Sequence, residues 1–304
     1  MDFSRYGAPS EQWRTFAENN PSVTRDGYEN NHFAQAAELR ATQNSVREAT
    51  AERTMARTGL HNRVQIKTFH VPSRDTHTIP IRRYTPREMP SGNASVLLFF
   101  HGGGMLFGSE KTDDVLCSTI AAENSLVVLS VIYRHTPANK HPAQHNDAWD
   151  AFKFIRDGAE GLDVDISSGV GVMGVSAGGG LAAGVVLRDL EYEQSTRGYR
   201  SIITGLVLSI PWLIHIDNYP FDKFASHDKT AKIQCSDRPV VPAARLRLFS
   251  DILDAQDPTD PLLNIALIPV EKLHGWPKTA FLIAGMDPLR DDGLLFATQL
   301  EALK

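Results

Sequence analysis

One stretch limits the fold of this chain more sharply than any other: Val170-Gly171-Val172-Met173-Gly174-Val175-Ser176-Ala177-Gly178-Gly179-Gly180-Leu181-Ala182-Ala183. A short apolar β-type run enters a glycine-flanked serine, and small, helix-compatible residues lead away from it. Gly174-Val175-Ser176-Ala177-Gly178 is a Gly-x-Ser-x-Gly pattern in a strand–turn–helix setting. So tight a turn strains the backbone of the serine, and its neighbours must lack bulk, which glycine does at no steric cost. The N–H groups that open the outgoing helix, starting at Ala177, point at any negative charge developing beside Ser176. The pattern therefore asks the rest of the chain for a base, an orienting acid and further N–H donors.

A length of 304 residues is enough for one large α/β domain or two smaller ones. Lys and Arg number 31 against 36 Asp and Glu, a net charge of −5 with no basic patch, which argues against a nucleic-acid partner. Cys117 and Cys235 are the two cysteines; they make no disulfide framework and point to a reduced, cytoplasmic setting. The first residues carry no apolar signal segment, and no apolar run is long enough to cross a bilayer. Asn93-Ala94-Ser95 matches a glycosylation sequon, read as incidental without a secretory signal.

Residues 1–60 are polar and helical in flavour, with helices expected over 11–18 and 32–58, and are read as a segment that packs onto the main domain. Two β-type runs, 63–71 and 78–84, flank the turn residues Pro72-Ser73-Arg74-Asp75 and predict an antiparallel pair. From Ser95 onward apolar strands (95–100, 126–133, 170–174, 202–210, 279–284) alternate with helical stretches (147–157, 181–193, 290–303). That alternation predicts an α/β fold with a mostly parallel sheet wrapped by helices. Between Trp212 and Pro269 the pattern breaks, save for a short helix expected over 243–255, and an insertion of that size reads as a lid or cap.

His101-Gly102-Gly103-Gly104 follows the 95–100 strand directly. Consecutive glycines let backbone N–H groups turn toward a bound oxyanion, and with the serine turn downstream the triplet gains a specific meaning. Asp287, in Gly285-Met286-Asp287-Pro288-Leu289-Arg290-Asp291-Asp292-Gly293, follows the 279–284 strand and comes out on the same sheet edge as Ser176. Asp291 and Asp292 are read as favouring the dipole of the last helix. Gly169-x-Gly171-x-x-Gly174 matches a dinucleotide fingerprint only formally, since its glycines lie in or before the strand rather than after it. No metal or organic cofactor is implied.

His101-Gly102-Gly103-Gly104, Tyr133-Arg134-x-x-Pro137, Gly174-Val175-Ser176-Ala177-Gly178-Gly179 and Asp287-Pro288-Leu289-Arg290-Asp291 together resemble the hormone-sensitive-lipase-like family of α/β-hydrolase esterases. The resemblance runs from about residue 63 to the last, with residues 1–60 and the 212–269 insertion fitting that family's cap and 61–304 its catalytic domain. It implies Ser176 as nucleophile, Asp287 as the acid that orients the base, and the N–H groups of Gly103, Gly104 and Ala177 as oxyanion donors. His101 and Asp147 would be structural. Met105, Leu106 and Trp212 are candidates for an acyl pocket, with core packing as the competing role. The implied activity is hydrolysis of small acyl esters by a serine carboxylesterase, with a homodimer as an oligomeric option. A silent small-molecule-binding member and a non-hydrolytic enzyme reusing the pocket are the alternatives.

Three departures qualify the resemblance. Val175 stands where the family has an aspartate, and Ala138 where it has a glutamate. The third concerns the base: the family's histidine follows the acid, whereas here 17 residues follow Asp287 and none is histidine. His274 precedes the acid and should lie at the far end of its strand; His215 and His227 fall in the insertion and are read as ordinary loop histidines. The expectation is a chain that stops short of the natural C-terminus, lacking the fold's final strand and helix, or an unusual family member, rather than a working triad assembled differently.

Overall fold

The strand that precedes His101, β3 (Val96–Phe100), runs parallel to both of its neighbours, β4 (Val127–Val131) and β5 (Val170–Val175). Its residues are apolar throughout because both faces of the strand are covered. In this computed structural model, which describes residues 1–21, 35–88, 95–159, 161–162, 164–237 and 241–303, those strands are central to a seven-stranded sheet. The others are β1 (Val64–Pro72), β2 (Thr78–Pro86), β6 (Ile203–Ser209) and β7 (Thr279–Leu282), in the spatial order β1-β2-β4-β3-β5-β6-β7. β1/β2 and β2/β4 are antiparallel and the remaining pairs parallel. The mostly parallel α/β sheet with its antiparallel opening pair is therefore as the alternation of apolar runs predicts.

The helices are α1 (Glu11–Asn19), α2 (Ala36–Thr58), α3 (Leu60–Arg63), α4 (Asp114–Asn124), α5 (Ala143–Arg156), α6 (Ala177–Ser195), α7 (Ala231–Gln234), α8 (Ala243–Leu253) and α9 (Arg290–Glu301). α6, which leaves the serine turn, is buried along most of its length, so it reads as apolar nearly all round rather than as an amphipathic stripe. It packs with α5 on the larger core, which includes Leu98, Phe100, Leu129 and Val172. The opposite face carries Phe99, Val128, Tyr84 and α4 through Cys117 and Ala121. Of the region before β1, α2 buries Ala36, Asn44, Ala51 and Met55, whereas α1 buries no residue. The expected start of the second helix, 32–34, and the sequon residues Asn93 and Ala94 lie outside the described residues.

Strand register decides where the loops emerge. Phe100 pairs with Gly174, Val175 with Ser209, and Ser209 with Leu282. The segments that follow β3, β5, β6 and β7 consequently leave one edge of the sheet side by side.

Candidate active site

Ser176 adopts φ 53° and ψ −119°, a region that non-glycine residues occupy only under strain of about 1–3 kcal/mol. Its backbone is over-determined: Ser176 N–H donates to Ser209 O at 2.8 Å, and its carbonyl accepts from Gly179 N at 2.8 Å and Trp212 N at 3.0 Å. The glycines beside it serve close approach rather than unusual φ. A Cβ on Gly178 would lie 2.1 Å from Phe100 O, and one on Gly174 would lie 2.0 Å from Gly178 O. Three backbones thus converge behind the serine, leaving it half-buried at the apex.

On one side of Ser176 lies the loop after β3. Gly103 and Gly104 take φ +127° and +62°, which only glycine adopts freely, and the loop folds back so that Phe107 N–H bonds Gly103 O at 2.8 Å. Phe249 of α8 presses on Gly104, where a Cβ would lie 2.2 Å from the ring. The N–H groups of Gly103, Gly104 and Ala177 donate to no described residue. Ala177 begins α6, so its N–H is also one of the helix's unpaired first-turn donors.

Asp287 lies on the other side, in the turn after β7, which is two strands over from β5. Its Oδ1 accepts from Leu289 N–H at 2.8 Å. Burial pushes its carboxyl above the usual range, against the pull of that N–H and of the Lys232 ammonium. The carboxylate borders a cleft of about 460 Å³ whose other walls include Tyr6, Trp13, Ile210, Val241 and Met286. Ser176 is not in that wall, but Ile210 directly follows Ser209, the residue bonded to Ser176 N–H.

Of the residues named for an acyl pocket, Leu106 is fully buried in the core. Met105 and Trp212 line a narrow internal cavity with His145, His215 and Gly180. The apolar cleft at Asp287 draws instead on Tyr6 and Trp13, whose part in it no local pattern announces.

The described histidines are held elsewhere. His215 is buried and accepts from Asp217 N–H, and His227 stacks on Phe221. His141 pairs with Asp260 at 2.8 Å. His145 bonds Leu262 O, and its pKa is pushed down to about 3, chiefly by burial. His274 precedes β7, at the end away from Asp287. Among the described residues no imidazole is hydrogen-bonded to Ser176 or Asp287.

Asp291 and Asp292 do stand in the first turn of α9, where the dipole favours them, and both are also fully buried. Asp292 accepts from Leu213 and Ile214 N–H and from Lys232; Asp291 accepts from Tyr219 OH, Ala231 N–H and Arg290. They fasten the 213–232 segment to the turn that carries Asp287. Val175 packs against the core on the α4 face, and Ala138 is exposed. No group of described residues could hold a metal ion, and no described helix is long and apolar enough to cross a membrane.

The chain is similar to several known proteins. The carboxylesterase NlhH of Mycobacterium tuberculosis is 31% identical over 229 residues, 74% of this chain and 66% of that protein. The versiconal hemiacetal acetate esterase of Aspergillus parasiticus is 29% identical over 227 residues, again 74% of this chain and 66% of that one. The chain thus spans just under two thirds of both relatives. Among solved structures, a bacterial heroin esterase superposes with a TM-score of 0.73 at 27% identity, covering 88% of this chain and 80% of that one. Residues 97–304 match the model of one family, and with more than two thirds of its length so matched the chain belongs to the α/β hydrolase fold family.

Proposed function

We propose that the protein is a serine carboxylesterase acting on small acyl esters, with Ser176 as nucleophile. The observation that carries this is the strained Ser176 turn, its half-exposed serine flanked by the uncommitted N–H groups of Gly103, Gly104 and Ala177. Attack by Oγ on the ester carbonyl puts negative charge on the carbonyl oxygen, and fixed donors there stabilise the transition state more than the substrate. Departure of the alcohol leaves an acyl-serine, which water then hydrolyses. Removal of the hydroxyl proton calls for an imidazole oriented by Asp287, which no described histidine supplies; the burial of Asp287 would make its charge count for more there. The apolar cleft beside Asp287 would hold a short acyl or alcohol group. Residues 1–60 and 212–269 would together form a cap, a reading supported by Tyr6 and Trp13 in the cleft and Phe249 on the glycine loop. Two buried, unbridged cysteines support a cytoplasmic setting.

One observation favours a second reading, a ligand-binding member without turnover: no described imidazole bonds Ser176 or Asp287. A serine hydrolase deprived of its histidine loses about a million-fold in kcat. Hydrolysis of a short-chain p-nitrophenyl ester by the wild type and Ser176→Ala separates the two. The esterase reading expects turnover that the variant abolishes; equal background rates in both sink it.

A further inference from the structure

A line of polar contacts runs from α2 to the glycine loop. Arg40 Nη2 lies 3.1 Å from His135 Nδ1, His135 Nε2 lies 3.3 Å from His101 Nε2, and His101 Nδ1 lies 2.9 Å from Gly102 O. The two ends of this line fix its direction. A guanidinium can only donate and a carbonyl can only accept. His135 must therefore receive at Nδ1 and carry its proton on Nε2. His101 must in turn receive at Nε2 and carry its proton on Nδ1, where it donates to Gly102 O. Each imidazole is neutral with one proton, and no other single-proton arrangement satisfies all three contacts. A second proton on His135 would face the guanidinium; one on His101 would face the His135 N–H.

The surroundings hold the line in place. His101 and His135 are buried, and burial lowers the pKa of both, in keeping with neutral rings. Tyr133 stacks on His101 at 4.3 Å between centroids; its OH donates to His101 O at 2.8 Å and, its proton so placed, can only accept from His101 Nδ1, 3.3 Å away. Arg40 is half-buried, and among the described residues its enclosed Nε has no partner and its charge no ion pair, a costly placement for a cation. One turn further along α2, Asn44 grips the far end of the same loop, giving to Gly108 O at 2.8 Å and taking from Gly108 N–H at 2.9 Å.

Because a trans peptide is planar, its C=O and the following N–H point in opposite directions. A bond that fixes Gly102 O therefore also aims Gly103 N–H. We propose that Arg40 and His135 are positioning residues which, through His101, set the peptide plane between Gly102 and Gly103 and so aim the Gly103 N–H at the substrate oxyanion. The use of that N–H rests on the esterase reading; the relay of protons that aims it does not. Helix α2 is then part of the oxyanion device, so that unseating it disturbs a donor it never touches.

Protein with ¹⁵N-labelled histidine, observed by NMR between pH 6 and 8, tests the relay directly. In the wild type the result expected is His135 protonated on Nε2 alone and His101 on Nδ1 alone. Arg40→Met should give His135 a mixture of tautomers, and Arg40→Lys, which keeps a donor, should restore the single one. In ester hydrolysis Arg40→Met should lower kcat about ten-fold with KM nearly unchanged, the pattern of a misaimed transition-state donor, and Arg40→Lys should recover most of it. His135 carrying its proton on Nδ1 in the wild type overturns the proposal, as do tautomers or kcat unmoved by Arg40→Met. If Arg40→Met does not fold, the wild-type and Arg40→Lys tautomers decide. A wild type that hydrolyses no ester overturns the esterase reading alone and leaves the tautomer result to stand or fall by itself.

Discussion

Lys232 and Asp292 form a buried ion pair, 3.0 Å from Nζ to Oδ1, between α7 and the first turn of α9. Burial raises the Asp292 carboxyl to about 6, even though the ammonium and the Leu213 N–H oppose it. In the unfolded chain an aspartate titrates near 3.8. Between those values the folded state binds more protons than the unfolded one, so this group's contribution is present below about pH 4 and is lost as pH rises through about 6. Lys232→Met removes the counter-charge and pushes Asp292 higher still. The variant should lose about 3 kcal/mol in urea unfolding at pH 8 and distinctly less at pH 5, where Asp292 is largely protonated. An equal loss at both pH values would show that the pair is not held by charge.

The Ser176 backbone yields a second expectation. At φ 53° a glycine is unstrained, whereas alanine keeps the Cβ that causes the strain. Ser176→Gly should therefore be more stable than Ser176→Ala by about 1 kcal/mol, net of glycine's greater freedom when unfolded. Both variants should lack hydrolysis. Urea midpoints measure the difference, and identical midpoints would mean that the turn stores no strain.

These two examples show what a sequence conveys and what it does not. The β3, β4 and β5 strands are readable because strands buried on both faces leave continuous apolar runs. The serine turn is readable because three converging backbones exclude every side chain at Gly174 and Gly178. The partner of Asp292 is not readable, because a carboxylate in the first turn of a helix looks alike whether solvent or a lysine 60 residues away neutralises it. His135 occupies a variable position of the Tyr133–Pro137 motif, and a second histidine there is the single local sign of the relay. Arg40 carries no sign at all, since surface arginines are common on any polar helix. Long-range polar pairing depends on tertiary neighbours, which periodicity cannot report.

Arg134 makes two ion pairs of unequal value. It forks onto the fully buried Asp147, with Nη2 2.7 Å from Oδ1, and reaches the half-exposed Asp75 at 2.8 Å. A lysine offers a point charge in place of the fork, so Arg134→Lys should cost about 2 kcal/mol. Asp75→Asn should cost under about 1 kcal/mol, because that pair is open to solvent. Thermal or urea unfolding of the two variants ranks the pairs, and a reversed order would contradict this reading of their burial.

Trp13 bears on substrate choice. It stands in the wall of the cleft that Asp287 and Met286 also line, with Phe16 beside it at 5.8 Å between ring centroids. α1 itself buries no residue, so the indole ring is held less by the core than by the cleft it lines. If that cleft takes the acyl chain, each added methylene that it covers gains about 0.8 kcal/mol, roughly four-fold in kcat/KM. Trp13→Ala removes one wall and should flatten the preference across acetate, butyrate and hexanoate esters. KM for the longer esters should rise by about ten-fold while kcat stays close to wild type, because uniform binding is lost and the oxyanion donors are untouched. Thermal stability should move little, since α1 packs loosely. A chain-length profile identical to wild type would remove the cleft from the substrate path and direct attention to the narrower cavity between Met105 and Trp212.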